Sequence, residues 1–243
     1  MILFGINFNA YYLIFFGNIK KVLELEEVRY YLGIILFSIV VISCNIYSMC
    51  QGLFDTITKS SFQVASIITT AGFTTTDFAL WPKTSQIILV MLMFVGACAG
   101  STGGGIKVSR FVILFKTIFK EFNSYIHPHS VKKIKMDGKS IEHDVIRSVN
   151  VHMITFIALF AISVFIISFE NLDLTTTFTA VATTINNVGP GLELVGPTHN
   201  FADFSVLSKY VFIFDMIAGR LELFPLLILF HPGAWKDFFK KSK

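Results

Sequence analysis

Long apolar windows constrain the fold of this chain more than any other feature. They cover residues 31–49, 85–99 with a continuation at 111–119, 151–169 and 206–230. A bilayer core about 30 Å thick requires roughly 20 apolar residues of helix, so these windows predict membrane-spanning helices. The composition agrees, because 53% of the residues are hydrophobic and only 15% are charged, unlike a soluble domain. We therefore predict an all-α membrane protein.

A polar, glycine-centred stretch, "IITTAGFTTTDF", separates two of these windows, and a related stretch occurs later in the chain. At an offset of 117 residues, "SFQVASIITTAGF" (61–73) aligns with "FTAVATTINNVGP" (178–190), and Gly72 falls on Gly189. The same register superimposes the apolar windows that precede them. This internal repeat predicts two tandem helix–pore-loop–helix units.

The helical pieces before these glycines are too short to cross a bilayer. Residues 60–69 would form about 15 Å of helix, enough to enter halfway and turn back. Such re-entrant backbone is stable only where protein encloses it or where it lines water. Gly72 and Gly189 allow backbone angles at which successive carbonyls face one axis and replace the hydration shell of a monovalent cation. The alternative is a glycine hairpin that serves packing alone.

A run of glycines interrupts the second span of the first unit, in "GACAGSTGGGIKVSR" (96–110). Each glycine costs a helix about 1 kcal/mol relative to alanine, so the helix must break here. A phosphate-binding loop is excluded because Ile106 stands between Gly105 and Lys107. The run predicts an irregular intramembrane segment that gates the pore below the filter, and the alternative is a helix kink without function.

Charged residues interrupt the last apolar window at Asp215, Arg220 and Glu222. A charge at the bilayer centre costs roughly 2.5–3.5 kcal/mol, so these side chains are predicted to face the protein interior. One interpretation is an ion pair of Arg220 with Asp215 or Glu222 that ties helices together. The other places Arg220 opposite the glycine segment as a positive barrier, and both can hold.

Basic residues cluster in two places. Nine of the 20 Lys and Arg lie between Lys107 and Arg147, and four more lie at the C-terminus. The positive-inside tendency therefore places residues 120–145 and the tail in the cytoplasm, with no need to invoke nucleic acid. The odd number of cysteines, three, predicts free thiols, and the scattered histidines predict no metal site. The sequence is predicted to divide into five regions. These are the end of a preceding unit with a linker (1–28), a first pore unit (29–121), a cytoplasmic basic loop (122–144), a second pore unit (145–231) and a cytoplasmic tail (232–243).

Four motifs, "TTAGFTTTDF", "GACAGSTGGGIKV", "NNVGPGL" and "GRLELF", resemble the Trk/Ktr/HKT superfamily of potassium uptake proteins, in its TrkH-like branch. The resemblance extends over essentially the whole chain. It implies filter segments that hold K⁺, a gating loop and an arginine that faces the ion pathway. Residue by residue, it implies the third filter segment at Thr70, Ala71, Gly72 and Phe73, the fourth at Asn187, Val188, Gly189 and Pro190, and the gate at Gly100, Ser101, Thr102, Gly103, Gly104, Gly105 and Arg220.

The resemblance also implies how such a protein works. Family members resemble four fused units around one pore in the bacterial inner membrane, as multi-pass homodimers that bind a cytoplasmic nucleotide-binding regulatory protein. They transport K⁺ and carry out no covalent chemistry, so no enzyme activity and no covalently bound cofactor is expected. Two sequence features depart from the family pattern, because Ala97 stands where a glycine is expected and Asp215 could pair with Arg220.

Only two of the four units are recognisable, so the chain is expected to be the C-terminal half of a transporter, completed by a missing N-terminal half or a second chain. The alternative is a non-conducting truncated remnant or membrane scaffold that associates with a full-length transporter. A secondary carrier for an organic substrate is a third possibility, but its repeats would be inverted, whereas this repeat is parallel.

Overall fold

The structure, a computed structural model, describes residues 1–17, 19–127 and 133–220. These residues form α-helices, short 3-10 turns and a small β-hairpin. In chain order the helices are α1 (Phe8–Phe15), α2 (Ile19–Glu24), α3 (Glu26–Ile46), α4 (Leu53–Ile68), α5 (Lys83–Val95), α6 (Val108–Ile126), α7 (His143–Ile167), α8 (Leu174–Ile185) and α9 (Val206–Arg220). The 3-10 turns lie at Ile2–Gly5, Tyr47–Met49, Phe78–Leu80, Ser168–Glu170 and Glu193–Val195, and the hairpin strands are β1 (Lys135–Met136) and β2 (Lys139–Ser140).

Two helical stretches of the described chain are long and apolar enough to cross a membrane. They are Glu26–Met49, with 24 residues, and His143–Glu170, with 28. Only 22% of each apolar window is buried inside the protein, so large apolar side chains such as Phe37 and Phe165 remain exposed. An apolar surface of this extent suits contact with lipid. The predicted window at 206–230 is described only as far as Arg220.

Helix α4 is longer than the ten residues that the sequence predicted. It begins directly after Gly52 and has 16 residues, which corresponds to about 24 Å of helix. Its polar first turns are stabilised internally, because Thr56 donates to the Gly52 carbonyl at 2.8 Å and Lys59 pairs with Asp55 at 2.7 Å. These bonds satisfy polar groups in the turns that precede the ten predicted helical residues.

Helix α8 is the shorter counterpart of α4, with 12 residues. Asp173 caps its N-terminus by accepting a hydrogen bond from the Thr176 N–H at 2.9 Å. Hydrogen bonds from Thr176 are the main reason that the pKa of the Asp173 carboxyl is lowered. A charged cap at the positive end of the helix dipole fixes where α8 starts.

Apolar cores hold each group of helices together, and aromatic rings join the two groups. In the first group, α3 to α6, fully buried side chains include Ile42, Ile67 and Leu89. In the second, α7 to α9, the core includes Ile167, Val181 and Phe212.

Aromatic rings connect the two groups of helices. The ring of Phe94 of α5 packs edge-on against Phe160 of α7, with 5.5 Å between the ring centroids. Within the second group, Phe160 packs against Phe178 of α8 at 5.1 Å. Phe94 also lies 6.2 Å from Phe178, so these rings join α5 of the first group to α7 and α8 of the second.

The hairpin between the two groups packs against the start of α3. Asp137 accepts a hydrogen bond from the Glu26 N–H at 2.7 Å and so caps α3, whose own N-cap residue makes no side-chain bond. Lys116 of α6 pairs with the Glu26 carboxylate and donates to the Lys135 carbonyl at 2.7 Å. The sequence predicted a basic loop at 122–144, and the docking of the hairpin on α3 and α6 was not predicted.

Candidate functional site

Helix α4 ends in a tightly bonded turn. Thr70 adopts a left-handed conformation, with φ of 54°, and its N–H donates to the Ile67 carbonyl at 3.0 Å. The Ala71 N–H then reaches back to the Ser66 carbonyl at 2.8 Å. This pair of bonds is the Schellman motif, which closes a helix and reverses the chain direction.

Helix α8 ends in the same way. Asn187 has φ of 57° and donates its N–H to the Thr184 carbonyl at 3.0 Å, while the Val188 N–H donates to the Thr183 carbonyl at 2.9 Å. An additional bond runs from the Gly189 N–H to Thr183 Oγ1 at 2.8 Å. The two turns therefore share one backbone geometry at the positions that the repeat aligned.

The two turns lie against each other. Gly72 has φ of 73°, and a Cβ atom there would overlap the Val188 carbonyl oxygen and lie 3.6 Å from the Pro190 ring. Gly189 has φ of 115°, and a Cβ atom there would lie 3.9 Å from the Gly72 Cα. The predicted filter residues of both units thus meet at one place. Phe73 is the most exposed large side chain among them, at 68%.

The glycine segment, residues 96–107, lies between α5 and α6 and is not helical. It packs against the last turns of both short helices. The Gly104 N–H donates to Thr70 Oγ1 at 2.7 Å, and a Cβ atom at Gly104 would lie 2.6 Å from the Asn186 carbonyl oxygen. A Cβ atom at Gly103 would lie 3.4 Å from the Thr69 carbonyl oxygen. Only residues without side chains allow this approach.

Ala97 stands where the family resemblance implies a glycine, and its methyl group fits because the neighbouring Gly103 has no side chain. Its methyl group is fully buried and lies where a side chain at Gly103 would begin, since a Cβ atom there would be only 2.7 Å away. The start of the segment is also held by a local bond, because Ser101 donates to the Cys98 carbonyl at 2.5 Å, and a Cβ atom at Gly100 would lie 3.5 Å from Asn7 Oδ1. Gly105 packs against Gly96, since a Cβ atom at Gly105 would lie only 3.0 Å from the Gly96 Cα.

Three cationic side chains donate to main-chain carbonyls of the glycine segment. Arg220 Nη1 donates to the Thr102 carbonyl at 3.0 Å, and the Lys107 ammonium donates to the Gly103 carbonyl. Arg110 Nη1 donates to the Ile106 carbonyl at 3.0 Å. All three cations line a cavity of about 240 Å³ beside the segment, together with His152 of α7. The predicted gate residues and Arg220 are therefore in direct contact.

Close packing of α9 on α8 brings Arg220 to this position. A Cβ atom at Gly219 would overlap the Ile185 carbonyl oxygen, so the two helix backbones touch there. Asn187 of the second turn also donates to α9, from Nδ2 to the Met216 carbonyl at 3.0 Å.

Asp215 does not pair with Arg220 as the sequence suggested. It is fully buried and accepts a hydrogen bond from Ser163 Oγ of α7 at 2.8 Å. Asp215 lies more than one turn before Arg220 in α9, and its side chain is directed to α7 instead of the glycine segment. Glu222, the other proposed partner, lies outside the described residues.

Sequence reasoning missed the residues that hold the glycine segment from its other side. Glu27, only 6% exposed, accepts hydrogen bonds through Oε1 from the Ala99 N–H at 2.6 Å and the Ser109 N–H at 3.2 Å. The spacing along α3 could have indicated this burial, because Glu27 lies one helical turn before the buried Tyr31 and therefore on the core face of the helix.

Main-chain bonds also join the N-terminal residues to this segment. The Cys98 N–H donates to the Gly5 carbonyl at 2.9 Å, and the Phe8 N–H donates to the Gly100 carbonyl at 3.1 Å. Thr102 Oγ1 lies 3.4 Å from the Phe4 carbonyl. The glycine segment thus contacts five parts of the described chain, which are residues 4–8, α3, the turn after α4, the end of α8 and α9.

Comparison with known proteins relates this arrangement to cation transporters. Residues 23–238 match the family model TrkH, described as a cation transport protein. The Trk system potassium uptake protein TrkH of Salmonella typhimurium is 34% identical over 242 residues, covering 98% of this chain and 49% of that protein. The Escherichia coli K12 protein TrkG is 32% identical over 240 residues, covering 97% and 49%.

A solved structure shows the same fold. The crystal structure of the potassium transporter TrkH from Vibrio parahaemolyticus superimposes with a TM-score of 0.87 at 34% sequence identity. The match covers 96% of this chain and 51% of that one. The chain therefore spans about half the length of the relatives that it matches.

Proposed function

The chain belongs to the TrkH family of cation transport proteins, and on that premise we propose that it takes part in K⁺ uptake across the membrane. In this proposal its helices form two tandem helix–pore-loop–helix units. The turns at 70–73 and 187–190 supply main-chain carbonyls of a selectivity filter, and these carbonyls replace the hydration shell of K⁺. The glycine segment is the intramembrane gate.

One observation carries the filter assignment. Two helix ends that are 117 residues apart in sequence adopt the same left-handed turn, and their glycines pack backbone against backbone. A turn needed only for local packing would not have to meet its own repeat. The partial negative charge at the ends of α4 and α8 further favours a cation where the turns meet.

The contacts of the glycine segment support the gate assignment. It packs against the ends of both short helices, and its carbonyls at Thr102 and Gly103 are occupied by cationic side chains. A K⁺ ion leaving the turns on this side would meet these positive charges. Movement of the segment away from the turns would remove both the obstruction and the bond from Arg220.

Two units provide half a ring, so the proposal needs further units. We propose that this chain corresponds to the C-terminal half of a four-unit transporter, in line with its coverage of about half of each relative. The remaining half would be an N-terminal part or a second chain. The assembled protein would be a multi-pass homodimer in the bacterial inner membrane that contacts a cytoplasmic nucleotide-binding regulator.

Rubidium uptake in a strain deficient in potassium transport tests this function. The chain is expressed alone and together with an N-terminal half from a relative, and uptake is expected only from the combination. Gly72→Ser and Gly189→Ser should each lower that uptake at least about tenfold, because both positions have positive φ. Gly33→Ser is the matched control, since a Cβ atom there has no neighbour within 4 Å.

The same experiment decides between the proposal and its rival. The half-length of the chain also fits a non-conducting remnant that only associates with a complete transporter. No uptake from any combination, with the chain stably inserted in the membrane, would favour that rival. Uptake unaffected by either glycine substitution would remove the filter assignment.

A further inference from the structure

The two ends of the glycine segment are held together at a narrow neck. The Val108 N–H donates to the Ala97 carbonyl at 3.1 Å, and the Ile106 N–H donates to the Phe94 carbonyl at 3.3 Å. The segment therefore leaves α5 and returns to α6 at almost the same point. Its conformation depends on whether this neck stays closed.

Glu27 bridges the neck from α3. Its Oε1 atom accepts hydrogen bonds from Ala99, at the start of the segment, and from Ser109, in the first turn of α6. The N-cap residue of α6 is Lys107, which makes no side-chain capping bond. Glu27 thus caps α6 from another helix, at the end where the helix dipole favours a negative charge.

The burial of Glu27 indicates that these two hydrogen bonds stabilise the carboxylate in its place. A carboxylate that is 94% removed from solvent is stable only if charged or polar groups compensate its lost hydration. Hydrogen bonds from N–H groups to a charged acceptor are roughly twice as strong as neutral ones. Without these two hydrogen bonds, a buried charge among the apolar side chains on the core face of α3 would be unfavourable.

We propose that Glu27 is a positioning residue of the gate, which holds the glycine segment in its closed conformation by bridging the neck. The inference rests on the proposed function for its consequence, a controlled ion flux, but not for its structural content. Loss of the carboxylate frees both N–H groups and leaves the neck held by its two main-chain bonds, so the neck opens more readily and the segment leaves its contacts with the two turns more often.

Cys98 provides a test that does not depend on ion flow. This thiol is fully buried, next to Ala99, whereas Cys44 is exposed and Cys50 partly so. In a Cys44→Ala/Cys50→Ala background, Cys98 is the sole cysteine, and its modification by N-ethylmaleimide in membranes reports the opening of the neck. Glu27→Ala should raise the modification rate about tenfold, which corresponds to about 1.4 kcal/mol.

Glu26→Ala is the matched control. This neighbouring acidic side chain pairs with Lys116 and not with the glycine segment, so its removal should leave Cys98 protected. Glu27→Gln keeps an acceptor oxygen and the side-chain shape, and should raise the rate about threefold. Glu27→Asp should restore part of the protection, because the carboxylate is retained.

The outcomes separate the two proposals. Equal Cys98 modification in wild type, Glu27→Gln and Glu27→Ala would overturn the role of Glu27, whatever the rubidium uptake. Faster modification of the Glu27 variants supports that role even if no ion flux is found, in which case the proposed function alone fails. Should Glu27→Ala not insert into membranes, Glu27→Gln decides the question.

Discussion

The turns at 70–73 and 187–190 have the same backbone conformation but different supports. In the first, Thr70 Oγ1 accepts a hydrogen bond from Gly104 of the glycine segment. In the second, Asn187 donates to α9, and Gly189 is held by Thr183 of its own helix. Ser66, the counterpart of Thr183, has no hydrogen-bond partner for its hydroxyl among the described residues.

This difference shows that two copies of a duplicated turn can keep the same backbone conformation while only one of them is hydrogen-bonded to the glycine segment. The second turn is fixed to α8 and α9, and the glycine segment contacts these helices by packing at Asn186 and through the bond from Arg220 to Thr102, not through the turn itself. The first turn shares a direct bond with the segment. We therefore expect the first turn to respond when the segment moves and the second turn to remain fixed.

The largest effect is expected from alanine at the two glycines. Gly72→Ala introduces both strain at positive φ and an overlap with the Val188 carbonyl, and should lower rubidium uptake about a hundredfold. Gly189→Ala introduces strain but no overlap, and should lower uptake about tenfold. Equal losses at the two positions, measured at equal amounts of protein in the membrane, would mean that the close approach of the turns has no consequence.

Arg220→Ala should have the next largest effect, in the opposite direction. It removes a charged donor from the Thr102 carbonyl and a positive charge from the cavity beside the glycine segment. A hydrogen bond to a charged group contributes about 1.5 kcal/mol or more, so basal rubidium flux into proteoliposomes that contain the chain combined with an N-terminal half should rise about tenfold.

Arg147→Ala, an exposed arginine at the start of α7, serves as the control for the charge change. Unchanged flux in Arg220→Ala would reduce Arg220 to a structural link between α9 and the segment.

The smallest effect distinguishes the two supports themselves. Thr70→Val removes the bond to Gly104 and should raise basal flux about threefold, because a neutral hydrogen bond contributes roughly 1 kcal/mol. Thr183→Val removes the bond to Gly189 and should lower uptake by a similar factor without raising basal flux. Rubidium flux in proteoliposomes with and without a potassium gradient measures both quantities. Identical behaviour of the two variants would contradict the division of work between the turns.

The sequence predicted the features that depend on backbone freedom and periodicity. The 117-residue repeat aligned Gly72 with Gly189, and the structure gives both a positive φ. The glycine segment was predicted to interrupt a helix because several glycines in succession disfavour one. Such properties are local, so residue types alone reveal them.

Features that depend on contacts between distant residues were not predictable in this way. The first turns of α4 are stabilised by side-chain bonds to its own backbone, such as the bond from Thr56 to the Gly52 carbonyl. Asp215 pairs with Ser163 because its side chain on α9 is directed to α7. The capping of α3 by Asp137 joins residues more than 100 positions apart. No pattern within one segment encodes such a pairing.

The bonds from residues 4–8 to the glycine segment have a consequence for assembly. Gly5 and Phe8 share main-chain hydrogen bonds with Cys98 and Gly100, so the segment borders on the chain that precedes α3 as well as on its own unit. Any displacement of the segment must break or carry along these bonds. A displacement of residues 4–8 would therefore be transmitted directly to the glycine segment through main-chain hydrogen bonds.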